Sequence, residues 1–206
     1  MDESKYVTNV YNEIAEHFNA TRAYNWDWVT EFINSIPKNS KILDIGCGTG
    51  RNMLYNDQDF TGIDSSEEFV KICLSKGLDA ILGDMCSLPL CRYTFDAIIS
   101  VASFHHLSSI ERRQAALKEM CRVLKPGGTI LLSVWSINQP EKTRRKFDKY
   151  GDTIVKWTKY NDVYERYYYI FEIPEITKLL SDNKLEILSY KWDCGNEVFI
   201  LKKLIE

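Results

Sequence analysis

The sequence predicts an α/β fold: a mostly parallel seven-stranded sheet with helices on both faces and an antiparallel C-terminal edge. Three observations predict it. Short β-rich apolar runs alternate with helical windows between residues 41 and 135, the pattern of parallel strands joined by crossover helices. A glycine-rich turn directly follows the first of those runs. Two adjacent β-rich runs close the chain, and a terminal pair of that kind forms an antiparallel edge on an otherwise parallel sheet.

Taken in order, residues 4–18 and 24–36 carry the apolar spacing of amphipathic helices, and Pro37 ends the second. Strands are expected at 41–46, 60–64, 79–83, 95–101 and 129–135, with helical windows at 50–56, 66–76 and 108–124. The last window runs into Lys125-Pro126-Gly127-Gly128, a helix stop followed by a turn. Beyond 135 the rhythm breaks: residues 136–165 are polar, basic and aromatic without clear periodicity, a long insertion or lid. A helix near 172–183 and strands around 185–192 and 196–203 complete the chain.

A length of 206 residues suits one sizeable domain. The net charge of −3 argues against a chain that binds nucleic acid unaided. Local basic clusters at 142–149, Arg112–Arg113 and Lys202–Lys203 read first as solvated helix faces. The six cysteines (47, 73, 86, 91, 121 and 194) form no CxxC pair, so neither a zinc knuckle nor a disulfide framework is expected. They fit a reducing, intracellular compartment. The N-terminus is charged and helical rather than a signal peptide, and no apolar run approaches the roughly 18 residues of a membrane span.

The chemistry starts in "LDIGCGTG", where Gly46, Gly48 and Gly50 let a ligand approach the backbone closely. The dinucleotide fingerprint would place its third glycine one position later. Asp64 ends the second strand, where an acid can accept from both ribose hydroxyls. Asp84 ends the third, where a carboxylate can take an exocyclic adenine amine, with Met85 beside it to cover the ring. The plainer reading makes both acids helix caps, but Asp84 runs into a turn and Pro89, so capping accounts for Asp64 alone. No Walker lysine or arginine cluster is present for phosphates, which leaves adenosine with a non-phosphate tail.

With "FDAIIS" and "VLKPGGTILLSVW" as the fourth and fifth strand motifs, the chain resembles class I S-adenosylmethionine-dependent methyltransferases over residues 41–136. The resemblance implies their Rossmann-like fold. It places Asp44, Gly46, Gly48 and Gly50 around the methionine half, Asp64 at the ribose and Asp84 with Met85 at the adenine. Backbone near Val101 would meet the sulfonium, and Cys47 and Ser65 join the cofactor-binding set. S-adenosylhomocysteine would be the product. The implied organisation is a single domain over 1–206: N-terminal helices to 38, a cofactor core at 39–136, a lid with a substrate motif at 137–171, and a C-terminal helix and strands at 172–206.

The acceptor is read from what is present and absent. An NPPY-like tetrapeptide and a Pro-Cys pair are both lacking, which demotes amino-methylation of bases and carbon methylation of pyrimidines. Arg22, His105, His106, Trp135, Trp157 and "ERYYYIF" remain. A carboxylate acceptor is already anionic at neutral pH, so it needs cationic donors rather than a base. The paired histidines allow three roles: metal ligands, an acid–base pair or a pocket wall. The absence of a third ligand disfavours the first, and a carboxylate acceptor disfavours the second.

"YVTNVYNEIAEHFNATRAYNWDWVTEF", "SVASFHHLSSIERR", "GDTIVKW" and "ERYYYIF" together resemble the eukaryotic tRNA wobble-uridine carboxylmethyltransferases over nearly the whole chain. That resemblance implies esterification of 5-carboxymethyluridine in the anticodon loop of tRNA, without a metal in this chain. It also implies a heterodimer with a small zinc-binding activator protein, no membrane association, and a cytoplasmic or additionally nuclear location. Arg166 would hold the substrate carboxylate, Arg22 the cofactor or that same carboxylate, and Tyr168 would stack or hydrogen-bond unless it merely alternates on a strand. Trp135 is either a pocket residue or a core anchor, and His106 is favoured over His105 for the pocket. The basic run at 142–149 becomes a candidate phosphate contact. Two departures stand out: Val155-Lys156-Trp157 replaces the family's Val-Pro-Trp, and Arg166-Tyr167-Tyr168-Tyr169 replaces its Arg-Tyr-Tyr-His. The alternatives are a small-molecule methyltransferase acting on a carboxylate or quinone-type substrate, and a non-catalytic cofactor-binding subunit.

Overall fold

In the computed structural model, described for all residues except 22–25, 56, 144–145, 160–161 and 205–206, side-chain alternation along the central strands sorts the core into two layers. On β1 (Lys41–Ile45), β4 (Phe95–Val101) and β5 (Leu124–Trp135), the side chains of Leu43, Ile98, Ile130 and Leu132 enter one core cluster. Ile42, Ala97, Ile99 and Leu131 enter the other. Both faces are apolar because helices cover both. The α2 (Asp27–Ser35) and α3 (Glu67–Ser75) helices pack on one face, and α4 (Ile110–Val123) and α5 (Ile173–Asp182) on the other.

The remaining strands of the sheet are β2 (Asp59–Asp64), β3 (Ala80–Leu82), β8 (Leu185–Asp193) and β9 (Asn196–Lys203). Sheet order is β3-β2-β1-β4-β5-β9-β8. The first five strands are parallel, and β9 runs antiparallel to both of its neighbours, β5 and β8, which gives the predicted antiparallel edge. Strand order reverses beside β1, and crevices of this kind open beyond the carboxyl ends of the strands at such a switch.

Four local expectations change. The helix expected at 50–56 is a single 3-10 turn, Arg51–Met53, entered through Gly50 in the left-handed region (φ 74°). The turn expected at 125–128 is absorbed into β5 as an irregularity, with the register to β4 shifting between Phe95 and Ala97 and Gly127 taking φ 75°. The helix expected from residue 4 begins as a π-helical turn, Ser4–Thr8, and continues as α1 (Asn9–Ala20). The insertion is not irregular throughout: β6 (Gly151–Lys159) and β7 (Asp162–Ile170) form a separate antiparallel hairpin. Its pairing puts Thr153, Val155, Trp157, Tyr164, Arg166 and Tyr168 on one face. The tyrosines hid this alternation, because Tyr167 and Tyr168 point to opposite faces and both are buried.

Candidate active site

The carboxyl ends of β1, β2 and β4 meet at the glycine turn. The amides of Gly46 and Cys47 both donate to Ile63 O, at 2.7 and 3.0 Å, tying the turn to β2. Gly48 has φ 54°, and a Cβ built there would face open space, so its missing side chain leaves room for a ligand. A Cβ on Gly46 would instead stand 2.3 Å from Ser103 Cβ, which makes that glycine a packing requirement.

Asp64 accepts from Gly48 N and Ser66 N, both at 2.8 Å. Helix α3 is capped by Ser66, whose Oγ accepts from Phe69 N at 3.2 Å, so capping does not explain Asp64 after all. Burial pushes the Asp64 pKa up to about 6 against these amide bonds. Asp44 is wholly buried. Its Oδ2 accepts from Asn52 Nδ2 at 3.4 Å, while its Oδ1 and the Asn52 Oδ1 have no partner among the described residues. Burial, with the nearby Asp64 charge adding, raises Asp44 to about 7 although Asn52 and Arg51 oppose it. Asp84 accepts from Cys86 N and pairs with Arg112 Nη2 at 3.0 and 2.9 Å. Burial opposes its charge, but the amide and the guanidinium outweigh it and hold its pKa below the usual range.

A cavity of about 590 Å³ opens over this turn. Of the predicted cofactor residues, Gly46, Cys47, Gly48, Asp64, Ser65, Asp84, Met85 and Val101 line it. Asp44 and Gly50 lie behind the wall; a Cβ on Gly50 would stand 2.4 Å from Leu78 Cδ1. Of the predicted acceptor residues, His106, Trp135, Arg166 and Tyr168 line the same cavity. His105 does not: it sits wholly buried beneath Trp135 and accepts from that residue's amide through Nδ1 at 2.9 Å. Arg22 lies outside the described residues, as do Arg144 and Arg145 of the basic run.

The end of the cavity that carries the predicted acceptor residues is built by segments far apart in sequence. Trp135 at the end of β5 stacks on Tyr168 of β7, ring centroids 4.0 Å apart and 9° from parallel. Arg166 is only 3% exposed, with its guanidinium 4.7 Å from the Trp157 ring centroid. Among the described residues its one hydrogen bond runs from Nη1 to Tyr11 Oη at 3.4 Å, its buried Nε has no partner, and no carboxylate pairs with it. His106 Nδ1 donates to Tyr167 O at 2.7 Å, and its Nε2 lies 3.0 Å from Tyr11 Oη. Burial lowers the His106 pKa to about 3; the bond to Tyr167 works against it and the Arg166 charge adds to it, so the ring is neutral.

Several lining residues escaped the sequence reading. The π turn and α1 roof the cavity through Glu3, Thr8 and Tyr11, and Asn12 Oδ1 accepts from Ser66 Oγ at 2.7 Å to anchor them. Tyr11 was just one apolar position of an amphipathic helix. The expectation of a solvated helix face fails for Arg112 and Arg113. Arg112 lines the cavity and bonds Glu3 Oε2 at 2.8 Å, and Arg113 is 3% exposed with its guanidinium 3.4 Å above the Tyr169 ring. Lys203 likewise turns back, donating to Cys121 O and Leu124 O at 2.7 and 3.0 Å at the end of α4.

Comparison with known proteins agrees with the fold and the family expected. Residues 43–132 match the family model described as a methyltransferase domain. The chain is 41% identical over 157 residues to a tRNA (carboxymethyluridine(34)-5-O)-methyltransferase of Arabidopsis thaliana, covering 76% of this chain and 37% of that protein. It thus spans well under half the length of that relative. A putative methyltransferase of Encephalitozoon cuniculi is 33% identical over 208 residues, covering 98% of this chain and 97% of the relative. Among solved structures, a chain in the complex between the Haloferax volcanii Trm112 methyltransferase activator and the putative methyltransferase superposes with a TM-score of 0.72. It shares 16% identity, with 97% of this chain and 98% of that chain covered.

Proposed function

The chain belongs to the class I S-adenosylmethionine-dependent methyltransferase family that includes the tRNA carboxymethyluridine methyltransferases, and from that premise we propose the following reaction. It methylates the carboxylate of 5-carboxymethyluridine at the wobble position of a tRNA anticodon, forming the methyl ester and leaving S-adenosylhomocysteine.

The cofactor fits the residues present. The open cradle over Gly48 admits a ligand against the backbone, and the orphaned Oδ1 of Asn52, which lines the cavity and bonds the buried Asp44 behind it, calls for a donor such as the methionine ammonium group. Asp64 would take the ribose hydroxyls and Asp84, beside Met85, the adenine amine. S-adenosylmethionine supplies a methyl group already activated on a sulfonium. The protein's own task is then to aim an acceptor oxygen at that methyl, which is catalysis by positioning.

One observation carries the choice of acceptor: Arg166 is a buried cation on the cavity wall that, among the described residues, has no carboxylate partner and a single long hydrogen bond. A buried charge without a counter-charge costs several kcal/mol, of the order reported for broken buried pairs, and an anionic ligand relieves it. A carboxylate has an oxygen lone pair ready to form the new O–CH₃ bond, so no proton leaves the acceptor and no general base is required. The neutral His106 fits this, since it serves as part of the wall rather than as a proton acceptor for substrate. The stacked Trp135–Tyr168 pair beside Arg166 offers an aromatic wall for a splayed-out base.

The net charge of −3 fits a chain that shares RNA binding with a partner. The named fold relative was solved with its activator, which supports a similar small activator here as the partner in a heterodimer; the location we propose, cytoplasmic or additionally nuclear, comes from the resemblance of the sequence alone. The test is nucleoside mass spectrometry of undermodified tRNA after incubation with S-adenosylmethionine, with and without that activator. Appearance of the methyl ester of carboxymethyluridine is the expected result. Methylation of free small carboxylates or quinones, with tRNA untouched, would overturn the reading.

A further inference from the structure

The hydroxyl of Tyr11 stands at the meeting point of the acceptor-end side chains: 3.0 Å from His106 Nε2, 3.1 Å from Tyr168 Oη and 3.4 Å from Arg166 Nη1. The direction of each bond follows from one fixed atom. The Tyr167 carbonyl can only accept, so the proton of neutral His106 is on Nδ1. His106 Nε2 therefore carries a lone pair, and Tyr11 spends its single proton on it. The Tyr11 oxygen is left with lone pairs alone, so Tyr168 O–H and Arg166 Nη1–H are the donors toward it. The main chain of β7 thus sets, through His106, the polarity of a hydroxyl contributed by α1.

We propose that Tyr11 is a positioning residue for the methyl acceptor: it stands in for an acceptor oxygen and holds Arg166 and Tyr168 converged as a pair of donors. The inference rests on the carboxylate reading of the site. Without a ligand, both donors are parked on the Tyr11 lone pairs beside the cavity; a carboxylate oxygen, which only accepts, replaces them with little rearrangement. The same arrangement selects against a neutral carboxamide, whose N–H₂ group would face donors. His105, with its Nδ1 accepting from Trp135 N, carries the opposite tautomer and stays outside the relay.

The test is Tyr11→Phe, which keeps the ring contacts with Phe18 and Phe69 and removes the oxygen. With undermodified tRNA as substrate, KM for the RNA rises about tenfold, the loss of one hydrogen bond to a charged group, while the affinity for S-adenosylmethionine changes less than twofold. Nitrogen NMR of His106 gives a readout independent of turnover. The wild-type ring shows the Nδ1–H tautomer with a hydrogen-bonded Nε2, and in Tyr11→Phe the Nε2 resonance moves to that of an unbonded nitrogen. Equal KM values, parallel loss of cofactor affinity, or an Nε2–H tautomer in the wild type would each overturn the proposal. A wild-type protein inert on this tRNA would refute the acceptor assignment instead, and the His106 spectrum would still decide the relay.

Discussion

Replacing Asp44 by Asn removes a charge that the fold tolerates poorly. The carboxylate is fully buried behind the glycine turn, its Oδ1 has no donor among the described residues, and its bond to Asn52 is long at 3.4 Å. Burial and Asp64 together lift its pKa from 3.8 to about 7. The folded protein then keeps this proton up to about pH 7, while the unfolded chain releases it near pH 4. Folding takes up a proton in between, so stability falls as pH rises through that window and levels off above it. At about 1.4 kcal/mol per unit, the loss assigned to Asp44 between pH 5 and pH 8 is roughly 2–3 kcal/mol. Asparagine does not titrate, and its amide can donate to the orphaned Asn52 Oδ1. In urea unfolding of the ligand-free proteins, Asp44→Asn should therefore gain on the wild type by that amount between the two pH values. Asp64 titrates in both proteins and leaves the comparison largely unaffected. The same variant should bind S-adenosylmethionine more weakly above pH 7, as the negative charge behind the glycine turn that attracts the methionine ammonium group is lost. A stability gap that does not widen with pH would refute the reasoning, because it would mean that Asp44 ionises in the fold as easily as in water.

Three further outcomes follow from the geometry. Asp64→Ala should abolish measurable S-adenosylmethionine binding by calorimetry, since it removes both the turn's anchor at Gly48 N and the ribose acceptor; unchanged heats would sink the site assignment. Arg166→Ala should keep cofactor affinity within about twofold while eliminating ester formation on tRNA by nucleoside mass spectrometry, and retained activity would remove Arg166 from the acceptor site. Arg113→Ala should lower stability by about 2–4 kcal/mol through loss of a buried, stacked cation. Its cofactor affinity should stay unchanged, in contrast to Arg112→Ala at the Asp84 end; equal effects of the two on calorimetric binding would contradict their separation.

The cofactor half was legible in the sequence because its determinants are local and periodic. Gly46 and Gly48 mark a left-handed turn, and Asp64 and Asp84 fall at strand ends that alternation already locates. The acceptor half was legible only in part. Arg166, Trp135 and Tyr168 are unusual residues in short motifs, but their convergence depends on the β6–β7 hairpin folding back over the ends of β4 and β5. Three consecutive tyrosines masked that hairpin's period of two. Arg112 and Arg113 show the limit from the other side. Both sit on a helix of low mean hydropathy, and only tertiary partners, Glu3 with Asp84 for the half-exposed Arg112 and Tyr169 for the buried Arg113, engage their charges.

The division has a physical consequence for the site. At the cofactor end the backbone amides of Gly48, Ser66 and Cys86 already satisfy Asp64 and Asp84, so that half is formed before ligand arrives. At the other end of the cavity Arg166 meets, among the described residues, one hydroxyl where a guanidinium has five donors, and its Nε has no partner there. A fold selected for stability alone would place a carboxylate or an apolar side chain there, since a buried unpaired charge is among the costliest things a core can hold. On the proposed reading, the relay from Tyr167 through His106 and Tyr11 holds the charge in place, and the molecule to be methylated would bring the missing counter-charge. Under that proposal, specificity for an anionic acceptor is written into the protein as incomplete pairing around Arg166.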